Sequence, residues 1–436
     1  MATFLPNRLK FEFTSMPKIS ERAKLLAEVD HLIWLHAIYE SILDDDGTKK
    51  NKEKDARELL DIRFCIYESR YLEPRSYRND KHSLAHQIWE YTDRQFRQEV
   101  RMDRGSFQKI VRIISSHTIF KNKSRLQQTP VWIQCLVVFR RLGCYGNANS
   151  LGMNGRTYGF SEGAVVLFVK RVFTSLFSIR KSVVKWPDEE ERIQIKERFR
   201  RNYGIYGAVG IIDGTPAIFS QKPAIDGETY FSRKGIYCIN LQLICDDRGL
   251  IRHYLTGWPG SVYDNTVFEK TKLYRNHSKY FSNAEFLLAD SGYALKHFCM
   301  VPYRLPAAND APNKLYNQIF SSARVKIEHV NGILKSRWAS LKGIPTQIRQ
   351  KSDFAKVNDH IVACILLHNI LSLLNDKWPE EEVDIEQEEE AENRRVSDFE
   401  STAASLLETE DGAKDFRVLV QHNCLLQYYR NNRTIL

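Results

Sequence analysis

Residues 207–215 read GAVGIIDGT, and this stretch decides how the chain is expected to fold. A short continuous apolar run that closes on an acidic residue is typical of a buried strand ending at the edge of a sheet. Burying the carboxylate of Asp213 there is costly unless a cation meets it. Residues 285–293, EFLLADSGY, repeat the pattern and close their apolar run on Asp290. The two runs together predict a cation-binding site at one sheet edge.

Two further acids belong to this set. Asp264 lies in GWPGSVYDNTVF at 257–268, and Glu328 lies on a predicted helix, ARVKIEHVNGILKSRW, at 323–338. Sites whose ligands are all oxygen atoms favour Mg²⁺ or Mn²⁺, so the four acids predict metal-assisted phosphoryl transfer. Asp264 keeps two interpretations, metal ligand or helix cap, because an Asp at a helix start can cap free amides without any metal.

The elements around these acids follow the order β, β, β, α, β, α, which indicates an RNase H-like fold of the α/β class. In that fold Asp213 and Asp290 leave adjacent parallel strands, and their carboxylates can bridge two cations about 4 Å apart. Glu328 would complete the pocket from its helix. The predicted strands are 208–213, 236–245, 250–258 and 285–290, and the predicted helices are 264–274, 321–338 and 352–375.

The region before the sheet is predicted to be all-helical. Helical periodicity covers residues 21–43, and apolar positions over 83–118 predict two amphipathic helices. Between them, the charged stretch DDDGTKKNKEKDAR at 44–57 is predicted to be an exposed loop or linker.

Two later helices carry a candidate DNA-binding motif. One is predicted from Thr129 to Gly143, and the other opens at Ser161 and exposes Lys170 and Arg171. This arrangement is consistent with a helix-turn-helix unit whose last helix would enter a major groove. The alternative is that both are core helices of an all-helical domain.

Composition divides the chain into five parts. Nine acids in residues 380–392 repel one another and stay solvated, which predicts disorder around them. The predicted parts are a helical segment with a charged linker at 1–80, a helical, candidate helix-turn-helix region at 81–205, the RNase H-like domain at 206–378, an acidic disordered segment at 379–412, and a C-terminal segment at 413–436.

Charge points to a polyanionic partner. The chain has a formal net charge of +10, so everything outside the acidic run carries +19, nine more than the whole. An excess of this size favours nucleic acid. The eight cysteines form no CxxC pair, which indicates reduced thiols in an intracellular protein, and no apolar stretch is long enough to predict a membrane span or a secretory signal.

The chain resembles the PIF/Harbinger transposases, whose DDE-type endonuclease domain carries four separated blocks in a fixed order. All four blocks occur in that order between about residues 83 and 375. They are IIDGT at 211–215, GWPGSVYD at 257–264, LLADSGY at 287–293 and RVKIEHVNGILKSRW at 324–338.

The last block also fits the Arg-x3-Glu-x6-Lys pattern of related bacterial insertion-sequence transposases, as Arg324, Glu328 and Lys335. Ser321 replaces the tyrosine that those enzymes place three residues before the arginine, which puts any role of that tyrosine in doubt. Arg324 and Lys335 are expected to touch the DNA backbone, as are Arg233 and Lys234 before the hairpin.

The resemblance implies a nuclear endonuclease and transposase that needs Mg²⁺ or Mn²⁺, with Asp213, Asp290 and Glu328 catalytic and Asp264 a further metal ligand. It would cut double-stranded DNA at element ends and join 3′-hydroxyls to target DNA. A homo-oligomer assembled on DNA and a separate Myb-like DNA-binding partner are also implied. Two alternatives remain: a domesticated DNA- or protein-binding module that needs no catalysis, and a metal-dependent hydrolase of small phosphoesters, which the +19 charge disfavours.

Overall fold

A computed structural model describes residues 20–42, 49–69, 83–122, 127–282, 284–378 and 412–433. The chain divides into two compact units, Met1–Asn79 and Asp80–Leu436. Within the described ranges, no helix is both long enough and apolar enough to cross a bilayer.

The first unit is a helical hairpin of α1 (Glu21–Ile42) and α2 (Lys49–Glu68). The side chain of Arg22, near the start of α1, donates to the carbonyl of Ile66, near the end of α2, so the helices are antiparallel. The expected loop at 44–57 is therefore wrong from Lys49 onward. The Lys, Glu, Ala and Arg of this stretch are good helix formers, and they pair at i, i+4 spacing, as Glu53 does with Arg57.

The second unit begins with eight helices. Residues 83–118 form three short helices instead of two, because Thr92 makes a capping box with Gln95 and Asp103 starts a new helix. The helices are α3 (Ser83–Gln87), α4 (Asp93–Val100), α5 (Arg104–Ser115), α6 (Val131–Gly143), α7 (Leu151–Tyr158), α8 (Glu162–Ser178), α9 (Arg180–Val183) and α10 (Glu189–Tyr203).

Helix α6 begins and ends close to its predicted positions, and helix α8 begins at its predicted start. Helix α6 follows Pro130 and ends at Gly143, and the Ser161 hydroxyl caps α8 by accepting from the amide of Ala164. Both helices bury their apolar faces in the core, and α7 lies between them in the chain. The packing is that of core helices, and a DNA-reading role for α8 is left as a proposal.

A five-stranded mixed sheet follows, in the order β3-β2-β1-β4-β5. Strand β2 pairs antiparallel with β1 on one side and β3 on the other. Strand β4 pairs parallel with β1 on one side and β5 on the other. β1 runs five residues beyond its predicted end, and β5 was not predicted. The strands are β1 (Ala208–Ile218), β2 (Cys238–Cys245), β3 (Ile251–Pro259), β4 (Phe286–Leu288) and β5 (Cys299–Met300).

Among the described residues, five α-helices accompany the sheet. The helix predicted at 264–274 is broken in two, because the Thr271 side chain caps a new helix at the amide of Tyr274. Helix α13 begins ten residues earlier than predicted. The helices are α11 (Asp264–Glu269), α12 (Lys272–Arg275), α13 (Ala311–Arg337), α14 (Asp353–Leu373) and α15 (Gly412–Arg433).

One large hydrophobic cluster joins the helices before the sheet to the sheet itself. The rings of Phe139 on α6 and Trp338 after α13 are 6.4 Å apart, and Phe416 on α15 packs edge to face on Phe286 of β4. The C-terminal segment therefore docks on the sheet-bearing unit. The predicted disordered segment 379–412 lies outside the described residues up to 411, and Gly412 already belongs to α15.

Burial of neutral histidines predicts that the fold weakens in mild acid. His360 is 3% exposed with its Nε2 2.7 Å from the hydroxyl of Ser340, and burial lowers its pKa to about 3. Because that pKa lies below the ordinary value near 6.5, its stabilising contribution is complete above pH 6.5 and is lost as the pH falls. Between pH 7 and 5.5 the unfolding free energy of His360→Gln should therefore fall less steeply than that of the wild type. We expect the two slopes to differ by up to about 1.4 kcal/mol per pH unit.

Urea unfolding at the two pH values measures this difference. His422→Gln, at an exposed position of α15, is the matched control and should leave the wild-type slope unchanged. Equal slopes for wild type and His360→Gln would contradict the prediction.

Candidate active site

The parallel pairing of β1 with β4 places two of the acids level with each other. Ile211 of β1 lies opposite Leu288 of β4, and Asp213 and Asp290 each follow two residues later. Both carboxylates therefore lie level at the edge where β4 ends, as the sequence predicted, although Asp213 does not end its own strand and pairs with Leu243 of β2. The side chain of Asp290 also accepts from the amide of Gly292 at 2.8 Å, which fixes the turn after β4.

Asp264 reaches the same edge from α11. Its carboxylate lies against Gly214, where an added Cβ would be only 2.2 Å from its Oδ1, so the position next to Asp213 needs glycine. The amide of Asn240 donates to Asp264 Oδ1 at 2.6 Å. Tyr263 occupies the N-cap position of α11, and its side chain makes no capping bond. Asp264 is therefore directed at the acidic cluster and is not the helix cap.

One face of helix α13 packs against β1. Arg324 is 3.6 Å from Asp213 Oδ1, and the side-chain amide of Asn331 donates to Asp213 Oδ2 at 3.0 Å. One turn further along, the Lys335 ammonium donates to the hydroxyl of Thr215. These three residues lie seven and four positions apart, so they share a helix face.

Glu328 belongs to this face by spacing, four residues after Arg324 and three before Asn331. Its side chain is exposed, and its described contacts do not reach the aspartates. The structure brings Asp213, Asp264 and Asp290 together and leaves Glu328 at the rim.

Burial and mutual repulsion shift the titration of the cluster. Burial raises the pKa of Asp213 to about 6, the Arg324 guanidinium opposes that rise, and the carboxylates of Asp290 and Asp264 add to it. Burial also raises the pKa of Asp264, Asn240 opposes the rise by its hydrogen bond, and Asp290 adds to it. The positive charge near the cluster is therefore too small to balance the negative charge of its carboxylates.

The donor set fits a hard divalent cation. Every candidate ligand is an oxygen, and two amide oxygens beside the carboxylates, Asn240 Oδ1 and Asn331 Oδ1, are buried without a hydrogen-bond partner. In the described part of the chain, however, no group of three or more His, Cys, Asp or Glu side chains already has the arrangement of a metal site.

The candidate DNA-contacting residues fall into two groups. Arg233 and Lys234 lie close enough to Asp264 to oppose the rise of its pKa, and the Arg233 guanidinium stacks 4.5 Å from the ring centre of Tyr263. Burial lowers the pKa of Lys335 to about 8, so this residue is partly enclosed. Lys170 is exposed and Arg171 half-buried on α8, and their described contacts do not reach the acids.

Sequence reasoning missed the polar residues that hold the acids in place. Gln242 donates to the carbonyl of Asp264 and to the hydroxyl of Tyr293, each at 3.0 Å. Asn240 and Gln242 are the polar residues of the otherwise apolar run CINLQLIC, two positions apart and so on one side of β2. That spacing could have indicated polar residues that face the acids. The seven-residue spacing of Asn331 from Arg324 on α13 could have indicated the same.

All four acids lie within the part of the chain that matches a known protein family. A family described as DDE superfamily endonuclease matches residues 212–369. The chain is 28% identical over 235 residues to human (Homo sapiens) HARBI1, named as a candidate nuclease, and the match covers 53% of this chain and 66% of that protein. It is 26% identical over 294 residues to an ALP1-like protein of Arabidopsis thaliana, covering 63% and 68%.

The HARBI1 protein of Bos taurus is 27% identical over 235 residues, again covering 53% of this chain and 66% of the relative. The chain thus spans just under two thirds of the length of the two HARBI1 proteins. No solved structure matches it significantly.

The repulsion within the cluster predicts that removing one charge stabilises the metal-free protein. Asp290→Asn should raise the unfolding free energy at pH 8 in EDTA by about 1 kcal/mol, because Asp290 raises the pKa of both neighbours. The gain should shrink as the pH falls through about 6, where Asp213 takes up a proton and its repulsion of Asp290 is lost. Adding Mn²⁺ should raise the melting temperature of the wild type more than that of the variant.

Thermal unfolding with and without Mn²⁺ provides both measurements. Asp226→Asn removes an exposed acid at a left-handed position that Asn tolerates, and it should change neither result. A less stable Asp290→Asn protein at pH 8 would show that the carboxylates do not repel one another.

Proposed function

We propose, from the membership of residues 212–369 in the DDE superfamily endonucleases, that this chain is a metal-dependent DNA endonuclease of the PIF/Harbinger transposase type. The observation that carries the proposal is the convergence of three carboxylates at one sheet edge under a basic helix face. Asp213 and Asp290 are level on parallel strands, and Asp264 lies against Gly214.

Each residue at the edge has a proposed role. Asp213, Asp264 and Asp290 would hold one or two divalent cations, and Glu328 would complete the ligand set from α13. When bound, Mg²⁺ or Mn²⁺ supplies activation of the attacking water or 3′-hydroxyl and stabilisation of the leaving oxygen. Lys335, held by Thr215, is placed to meet a phosphate beside Asp213.

DNA is the proposed substrate because basic side chains surround the acids. Arg233 and Lys234 stand beside Asp264, and Arg324 and Lys335 lie along α13. Phosphate contacts of this kind position a duplex without reading its sequence. Sequence selection would then come from elsewhere, and a Myb-like partner protein, as the resemblance implies, is our proposal for it.

A second candidate function, a DNA-binding module without catalysis, has its own support. Arg324 already offers Asp213 a positive charge, and Glu328 is exposed, with no described contact to the three aspartates. A site whose own arginine offsets part of its negative charge can persist without a metal ion. The two candidates differ in whether the acids are needed for an activity.

The endonuclease proposal predicts metal-dependent nicking of supercoiled plasmid by the purified protein, with and without a candidate Myb-like partner. Asp213→Asn, Asp290→Asn and Glu328→Gln should each lower the rate by at least about 100-fold, because each removes one charged oxygen donor. Asp226→Asn should cut like the wild type.

Binding of plasmid without nicking, under every metal and partner condition, would favour the binding module. Nicking that survives all three substitutions would indicate a contaminating nuclease. Full activity of Glu328→Gln alone would remove Glu328 from the site and leave the three aspartates.

If the surface that carries Arg233 and Lys234 contacts DNA, two matched pairs of basic residues should differ in their effect on DNA binding. Arg233→Ala with Lys234→Ala should weaken non-specific duplex binding and reduce the slope of log affinity against log salt by about 2. Lys170→Ala with Arg171→Ala removes the same charge from α8 and is the comparison. A slope change of similar size for the second pair would support the helix-turn-helix role of α8, whereas no change for the first pair would contradict the proposed face.

A further inference from the structure

Tyr263, the residue directly before Asp264, is an exposed aromatic residue at the edge of the acidic cluster. It is 61% exposed, whereas Asp264 is half-buried. The Arg233 guanidinium lies over one face of its ring, 4.5 Å from the ring centre. A ring that is covered on one face and still exposed to this extent has its other face open. Single exposed apolar residues are common on protein surfaces, so exposure alone does not indicate a ligand.

The backbone that carries Tyr263 is held in place on both sides. The side-chain amide of Asn240 donates to the carbonyl of Val262 at 3.2 Å and to Asp264 Oδ1 at 2.6 Å. The carbonyl of Tyr263 itself accepts from the amide of Val267 at 3.1 Å, which ties it to α11. A tyrosine on a fixed backbone has only two side-chain torsions to order, so a ligand that stacks on it loses little affinity to side-chain entropy.

The turn beside Tyr263 supplies positive charge. Arg233 and Lys234 are both exposed, and in the described part of the chain neither forms an ion pair with a carboxylate. Arg233 is close enough to Asp264 to oppose the rise of its pKa, and Lys234 is close enough to Lys335 to help lower the pKa of that residue. The turn therefore places cations beside the acidic cluster and beside α13, where they attract a phosphate backbone.

We propose that the open face of Tyr263 stacks on one unpaired base of the DNA strand that enters the acidic cluster, while Arg233 and Lys234 contact its phosphates. An aromatic ring beside cations that follow the backbone is how proteins bind single-stranded nucleic acid. A base inside a duplex is covered on both faces by its neighbours, so only a base that leaves the stack reaches the ring. The preferred DNA therefore has a bulge, a mismatch or an end at the site. This inference rests on the proposed function and names the form of DNA that the same site takes up.

The position of the ring relates the stacked base to the acids. Arg233 contacts the ring of Tyr263 and also acts on the carboxylate of Asp264, so the ring and the carboxylate face the same side. Neighbouring Cα atoms are about 3.8 Å apart, close to the about 3.4 Å by which one nucleotide advances along a duplex strand. The base on Tyr263 therefore belongs to a nucleotide next to the phosphate at the cluster.

The test is the affinity of the full chain for three duplexes, measured by fluorescence anisotropy in Ca²⁺, a cation that oxygen ligands bind and that relieves the repulsion between carboxylates and phosphate. One duplex is fully paired, the second carries one unpaired thymidine, and the third carries an abasic nucleotide in its place. The wild type should bind the second at least about 5-fold more tightly than either of the others, the lower end of what one stacked base contributes. Tyr263→Ala should bind all three alike, and Tyr263→Phe should keep the preference because it keeps the ring.

Tyr145→Ala is the matched control, because Tyr145 is 59% exposed and lies outside the site. It should keep the wild-type preference. Equal affinity of the wild type for all three duplexes, or a preference that survives in Tyr263→Ala, would overturn the inference. Equal binding of the abasic duplex and the unpaired-base duplex would overturn it too, because the protein would then recognise a flexible site and not a base.

The binding measurement separates this inference from the endonuclease function. A preference for the unpaired base without any plasmid nicking would support the stacking of Tyr263 and contradict catalysis. Metal-dependent nicking without the preference would support catalysis and overturn the stacking.

Discussion

The convergence of three carboxylates in a partly buried space is the constraint on which the rest of this structure depends. The parallel register of β1 and β4 makes Asp213 and Asp290 level, and the missing side chain of Gly214 admits Asp264 between the strand and α11. Burial and repulsion then make ionisation of Asp213 unfavourable enough to move its pKa to about 6. Such a cluster persists only if its neighbours compensate for it.

The compensation comes from two sides. Asn240 on β2 donates to Asp264, and Arg324 and Asn331 on α13 meet Asp213. Helix α13 can do this only in one rotation, which the core fixes at its C-terminal end through buried Trp338 and the contact of its ring with Phe139 of α6. The helices before the sheet therefore support the site without contributing an acid to it.

Much of the fold was predictable because its signals are local. Apolar runs gave four of the five strands, and the acids that close two of them lie where the parallel register brings them together. β5 is two residues long and too short for any pattern. The docking of α15 depends on Phe416 meeting Phe286, a contact between residues 130 positions apart that no local signal contains.

The wrong prediction at 49–57 has a different cause, since charge was interpreted as solvation although Lys and Glu at i, i+4 spacing also favour helix. In the site, carboxylates were found because an acid after an apolar run is conspicuous. Asn240, Gln242 and Asn331 were missed because their meaning depends on which carboxylate each one meets.

The contacts separate the acids that the fold uses from the one it does not. Asp264 is tied to Asn240 and Gln242, and Asp213 to Arg324 and Asn331, so both acids are integrated into the packing whether or not a metal ion binds. Their presence is compatible with either candidate function. Glu328 is exposed on the face that overlies β1, and its described contacts give it no part in holding α13. Glu328 is therefore the acid that the packing does not require, so its effect on metal-dependent nicking separates the endonuclease from the binding module most directly.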